Sequence, residues 1–206
     1  MKKWTVLAAG LVFLGGCASL GLKTSCDGRA LARPSFFAQG QTLAAFKIAL
    51  FARGNELDGI LQIKKTAEDV YDATLFAAAG GYKLMQAAVT SRGVDFVFIT
   101  PPADKALVRA KADSFLTLLL FPPDVYKSCR EKDGLRSVTY EKNGAVHYEY
   151  EAGGEYPRAL TYRKEFGTAR MNFGQYAPYE DGALPHYTYY QDGSVEAELI
   201  LLTLKK

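Results

Sequence analysis

From Gln41 onwards, apolar and polar positions alternate with a period of two, the spacing of a strand with one face turned inwards. Residues 45–51 form the first such run. Residues 57–65 follow a turn at Gly54-Asn55, and residues 70–77 carry Tyr71, Leu75 and Phe76. Gly80-Gly81 turns into residues 82–89, and Arg92-Gly93 turns into residues 94–99. Five strands about 12 residues apart, joined by short turns, predict an antiparallel meander.

The period then changes. Pro101-Pro102 and Pro122-Pro123 bracket residues 103–121, where Leu107, Ala110, Ser114, Leu118 and Phe121 recur at helical spacing on one face. Leu116, Leu119 and Leu120 make the last turns apolar almost all round. A second short helix is expected over residues 123–130, ending before Gly134. Strands resume at 135–140 and 145–150, flanking Asn143-Gly144. Residues 158–162 and 168–173 flank Gly167, and residues 187–190 and 195–204 flank Asp192-Gly193. Pro157 and Pro185 open strands, where a missing N–H does least harm.

The expected fold is therefore α+β but mainly β, with about eleven strands: five, then helices, then six. In the last strand Val195, Ala197, Leu199 and Leu201 share one face, while Ile200 and Leu202 fall on the other. One or two helices cannot cover so large a sheet unless it curls around them. A half-barrel with a helical plug between strands five and six is the architecture expected.

The first 40 residues follow a different logic. Lys2 and Lys3 precede an apolar stretch of about 11 residues, too short to span a bilayer but suited to a leader core. Leu14-Gly15-Gly16-Cys17 resembles the lipobox of bacterial lipoproteins. The expectation is a leader over residues 1–16, acyl chains on Cys17, a tether over 17–40 and one domain over 41–206. Two or three chains make a stable membrane anchor where one does not. Ala18, in place of an aspartate after Cys17, points to the outer membrane, with the domain facing the periplasm.

Composition narrows the chemistry. Lys2 and Lys3 leave with the leader, so 25 basic side chains fall to 23 against 22 acidic ones. No run of like charge suggests nucleic acid. Cys26 and Cys129 remain, and an even count in an oxidising compartment favours a disulfide over two free thiols. Such a bridge would close a loop of about 100 residues, worth roughly 4–5 kcal/mol at most in the chain-entropy view.

Taken together, the lipobox, the strand Phe46-Lys47-Ile48-Ala49-Leu50, the helix between strands five and six and the proline-opened late strands resemble the LolA/LolB-like family. Its members include the periplasmic lipoprotein carrier and the outer-membrane lipoprotein receptor. The resemblance spans residues 41–204 and is one of layout. It implies a half-barrel holding an acyl chain or another apolar ligand. One departure stands out: the receptor's protruding loop has a bulky apolar tip, whereas Ala77-Ala78-Ala79-Gly80-Gly81 has none. A lipoprotein related to the receptor fits better than the receptor itself.

Catalytic constellations are missing from the pattern. His147 and His186 have no His or Cys at ligand spacing, and Ser194 sits in a hairpin and not at a nucleophile elbow. No enzyme activity, metal or cofactor is expected. The candidate lid and cavity residues are Leu107, Phe115, Leu118, Leu119 and Phe121, with core filling as the alternative. Ten of the thirteen tyrosines lie between Tyr140 and Tyr190. Tyr148 with Tyr150, and Tyr187 with Tyr189, could rim an apolar pocket with hydroxyls at the water boundary; ordinary strand propensity is the alternative. The leading expectation is a monomer that binds a lipid or lipoprotein acyl chain. The alternative is a structural or assembly-accessory lipoprotein that binds another envelope protein through its sheet, with no ligand cavity.

Overall fold

The computed structural model describes residues 24–27, 31, 37, 40–101, 103–141, 144–164, 167–179 and 182–205, omitting the side chains of 24, 25, 164, 177–179, 182 and 183. Cys17, the expected leader, most of the expected tether and Asn143 lie outside the described residues.

The strands are β1 (Thr24–Ser25), β2 (Leu43–Ala52), β3 (Asn55–Ala67), β4 (Val70–Ala77), β5 (Lys83–Thr90) and β6 (Gly93–Ile99). Helix α1 (Ala106–Leu120) comes next. Then follow β7 (Val125–Lys132), β8 (Leu135–Glu141), β9 (Ala145–Glu151), β10 (Pro157–Lys164), β11 (Gly167–Tyr179), β12 (Gly182–Asp192) and β13 (Val195–Lys205). All belong to one sheet, ordered β1-β7-β8-β9-β10-β11-β12-β13-β2-β3-β4-β5-β6, with every neighbouring pair antiparallel. The sheet is a curled, open half-barrel.

This order explains where the helix must go. The meander β2–β6 runs to one edge of the sheet, and β7–β13 runs back from the other, with β13 paired to β2 at the seam. Helix α1 is the link between β6 and β7, at opposite ends of the curl apart from the two-residue β1. A link between the two edges passes over the concave side, which is where its apolar face finds cover.

Alternation keeps that concave side apolar. In β9, Val146, Tyr148 and Tyr150 are buried while His147 and Glu149 face out. Across the ladder, Val138 opposes Tyr148, Tyr148 opposes Leu160, Leu160 opposes Met171 and Met171 opposes Tyr190. A one-residue slip would turn each of these side chains to water, so the pattern fixes register. Two hairpins are closed by pairs with positive φ, Arg53-Gly54 and Asp133-Gly134. This is the type I′ geometry, whose twist matches the flanking strands.

Three expectations need correction. Among the described residues the strands number thirteen where about eleven were expected, the extra ones being β1 and a strand where a helix was expected. Residues 123–130 are not helical: the tight Asp133-Gly134 turn folds Val125–Lys132 onto β8, placing Tyr126 edge-on to Tyr140 at 6.0 Å. Pairing of a β-favouring Val-Tyr start with β8, and burial of Cys129, override a weak helical signal. Helix α1 also starts at Ala106 and not at residue 103. A turn comes first, with the N–H groups of Ala103 and Asp104 donating to the Thr100 carbonyl, and Lys105 stays extended as the N-cap.

Candidate functional site

The helix presents two faces. One carries Phe115, Leu116 and Leu119 into the sheet, where all three are buried in the core. Phe115 meets Tyr190 edge-on, with ring centroids 5.1 Å apart. The other face carries Ala110, Asp113, Ser114, Thr117, Leu118 and Phe121. Together with the β5–β6 turn (Ser91, Arg92, Gly93), Pro123 and Tyr162, it encloses a cleft of about 430 Å³. That volume lies within the roughly 300–1,000 Å³ usual for small-molecule sites. A much smaller gap of about 10 Å³ lies deeper, between Leu118, Leu119 and the floor residues Tyr148, Leu160 and Met171. Leu118 borders both.

Polar contacts fasten the helix at the end where it is most exposed. Lys111 Nζ lies 2.5 Å from Asp192 Oδ1, and Asp192 is only 3% exposed. The Tyr190 hydroxyl donates to Asp192 Oδ2 at 3.1 Å and lies 3.5 Å from Ser114 Oγ. Burial pushes the Tyr190 phenol well above its ordinary range, so it remains a donor. On the opposite side, the Val94 N–H donates to Asp113 Oδ1 at 3.1 Å. The guanidinium of Arg109 stands over the Phe96 ring at 5.2 Å.

The expected site residues separate into three groups. Leu118 and Phe121 line the cleft, with Phe121 also edge-on to Tyr71 at 5.4 Å. Phe115, Leu119, Tyr148 and Tyr150 are buried in the core beside it. The two tyrosines are fully buried and not at a rim, because they take the inward positions of β9, which is paired on both sides. Leu107 is 46% exposed on the first helical turn and does not line the cleft. Tyr187 and Tyr189 lie on the convex face, since Thr188, Tyr190 and Asp192 take the inward positions of β12. There the Glu196 carboxylate accepts from Tyr189 and pushes its phenol up to about 12. His147 is also convex, 3.0 Å from Thr139 Oγ1.

Residues that the helical stripe alone did not mark are Arg92, Asp113, Thr117 and Tyr162. Thr117 has a buried hydroxyl with no hydrogen-bond partner among the described residues. Tyr162 reaches the cleft past Gly144, whose φ is +146° and where a Cβ would meet the ring at 2.5 Å. Only glycine fits there. The strand pattern could assign Tyr162 to the inner face, but nothing local ties it to a turn some 70 residues earlier. Among the described residues, no group of three His, Cys, Asp or Glu side chains could hold a metal ion. Nor is any described helix long and apolar enough to cross a membrane.

Cys26 and Cys129 come together, their Cα atoms 5.1 Å apart, as β1 pairs with Glu131 and Arg130 of β7. That separation is within disulfide reach.

No protein-family model matches the chain, and no curated protein matches it by sequence. Solved structures do match. A LolA superfamily protein from Nitrosomonas europaea superposes with a TM-score of 0.55 at 9% identity, covering 82% of this chain and 87% of that one. A DUF1329 family protein from Desulfovibrio piger gives 0.51 at 7% identity, over 82% and 87%. Such identities bear on the fold alone, and that fold is LolA/LolB-like.

Proposed function

We propose that this chain is a non-enzymatic lipoprotein of the bacterial outer membrane, anchored through Cys17, that binds an acyl chain or another apolar ligand within the half-barrel, in the cleft between α1, the β5–β6 turn and Tyr162. In this reading it takes part in moving lipid or lipoprotein across the periplasm. The observation that carries the proposal is the cleft itself. The helix covers the concave face without filling it, and leaves a partly apolar space along Ala110, Leu118, Phe121 and Pro123. A helix serving only as core would close that space, because interiors pack close to crystal density. The fold gives general support, since a curled sheet with a covering helix suits an apolar guest.

The lipobox supplies the anchor in this account, and the Cys26–Cys129 pair, if oxidised, holds the chain leaving the membrane against β7. The test uses the chain from Ala18, which retains every described residue. Native mass spectrometry followed by lipid extraction is expected to find a reproducible co-purified lipid, lost in Leu118→Asp. A clean apo mass from folded protein would sink the proposal.

A second reading draws on the β6 edge. Among the described residues it has no strand beyond it in the sheet, and its bulge leaves Val97 68% exposed beside Phe98. An accessory lipoprotein could pair another envelope protein there. Crosslinking from residue 97 in envelope preparations, abolished by Phe98→Lys, is the result that reading requires.

A further inference from the structure

The cleft is not uniformly apolar, and its polar groups are placed at particular points. Ala110, Leu118, Phe121 and Pro123 supply the apolar wall. Ser91 and Arg92 stand on the β5–β6 turn at one side. That turn is tied down: the Arg92 N–H donates to Thr90 Oγ1 at 3.2 Å, and Thr90 Oγ1 donates to the Gly93 carbonyl at 3.3 Å. Among the described residues, no carboxylate pairs with the Arg92 guanidinium. The other charged groups nearby are already committed. Lys111 is held by Asp192, and Asp113 Oδ1 takes the Val94 N–H. The buried Thr117 hydroxyl, on the cleft-lining face, has no partner among the described residues. A buried hydroxyl without a partner costs roughly 1–3 kcal/mol, so its persistence is informative.

Resting on the reading above, we propose that the ligand is a single-chain amphiphile with an anionic head, carboxylate or phosphate. Its chain runs along Leu118 and Phe121, its head meets Arg92, and an oxygen near the head accepts from Thr117. The volume of about 430 Å³ suits one chain and not the several chains of a complete lipoprotein anchor. A neutral apolar guest would leave both the free guanidinium and the buried hydroxyl without purpose. A fork of N–H donors on an arginine suits carboxylate and phosphate alike.

Calorimetric titration of the chain from Ala18 tests this, with each ligand kept below its micelle concentration. The probes are oleate, lysophosphatidylglycerol, the neutral monoacylglycerol of the same chain and a triacylated lipopeptide. Oleate and lysophosphatidylglycerol are expected to bind about tenfold more tightly than the monoacylglycerol, the scale of one charge-assisted contact. Arg92→Gln should erase that preference by weakening oleate and lysophosphatidylglycerol about tenfold. Thr117→Val should weaken both ester ligands without lowering the unfolding midpoint, a result that a purely structural threonine would not give. Equal affinity for anionic and neutral single-chain probes overturns the head assignment while leaving the apolar cleft standing. Tightest binding to the triacylated lipopeptide overturns the single-chain assignment. No binding by any probe overturns the cleft reading itself.

Discussion

Thr117 and Asp192 are opposite cases among the polar side chains around the helix: one has no partner among the described residues, the other is bonded to both Lys111 and Tyr190. Thr117 keeps a desolvated hydroxyl that the fold does not use, so Thr117→Val should raise unfolding stability by about 1 kcal/mol. Urea titration measures this, and a loss of stability would mean the hydroxyl has a structural partner. Asp192 is the reverse case: it joins Lys111 of the helix to Tyr190 of the sheet. Asp192→Asn should cost roughly 1.5–3 kcal/mol and speed amide exchange in the first half of α1 before the second half. Glu149 brings a pH dependence. Its hydrogen bonds to Arg170, joined by the Arg158 charge, hold its carboxyl below the ordinary glutamate range. The folded state therefore binds fewer protons than the unfolded one, and the stabilisation is complete above the ordinary range, near pH 4. It is lost as pH falls through the lowered value. Denaturant midpoints followed downwards from pH 5 should drop less steeply in Arg170→Met than in wild type.

At the scale of elements, α1 is the piece that both closes the fold and makes the site. Its sheet-facing side should be costly to trim, with Leu116→Ala losing about 2–5 kcal/mol. Leu107→Ala, on the exposed first turn, should stay within about 0.5 kcal/mol. The helix was legible in the sequence because prolines bracket it and its stripe repeats at helical spacing. The stripe was only partly right: Ala110, Ser114, Leu118 and Phe121 line the cleft, while Leu107 lies beyond its end. The meander was legible through alternation and through glycines at turns. Strand β7 was not, because Val125–Lys132 owes its form to pairing with β8, a contact its own composition does not encode. The same limit applies to Tyr187 and Tyr189. Alternation puts them on one face but does not say which, and the inward choice falls to Tyr190 through Phe115 and Asp192.

On the scale of the molecule, the curl explains why one helix suffices. The sheet's two edges are joined by α1 across the concave side, so a single apolar face packs against the floor, while on the convex side Arg170 donates to both Glu149 and Asn172. At β1, the first described strand, Cys26 reaches Cys129 of β7. On the proposed function an apolar guest lies in the cleft between α1 and the β5–β6 turn. Isotope-filtered NMR of the chain from Ala18, loaded with a carbon-13-labelled fatty acid, tests this most directly. Contacts from the chain's methylenes to the Leu118 methyls and the Phe121 ring are the expected result. Contacts confined to Val97 and Phe98 on the outer edge, or none at saturating ligand, would contradict it.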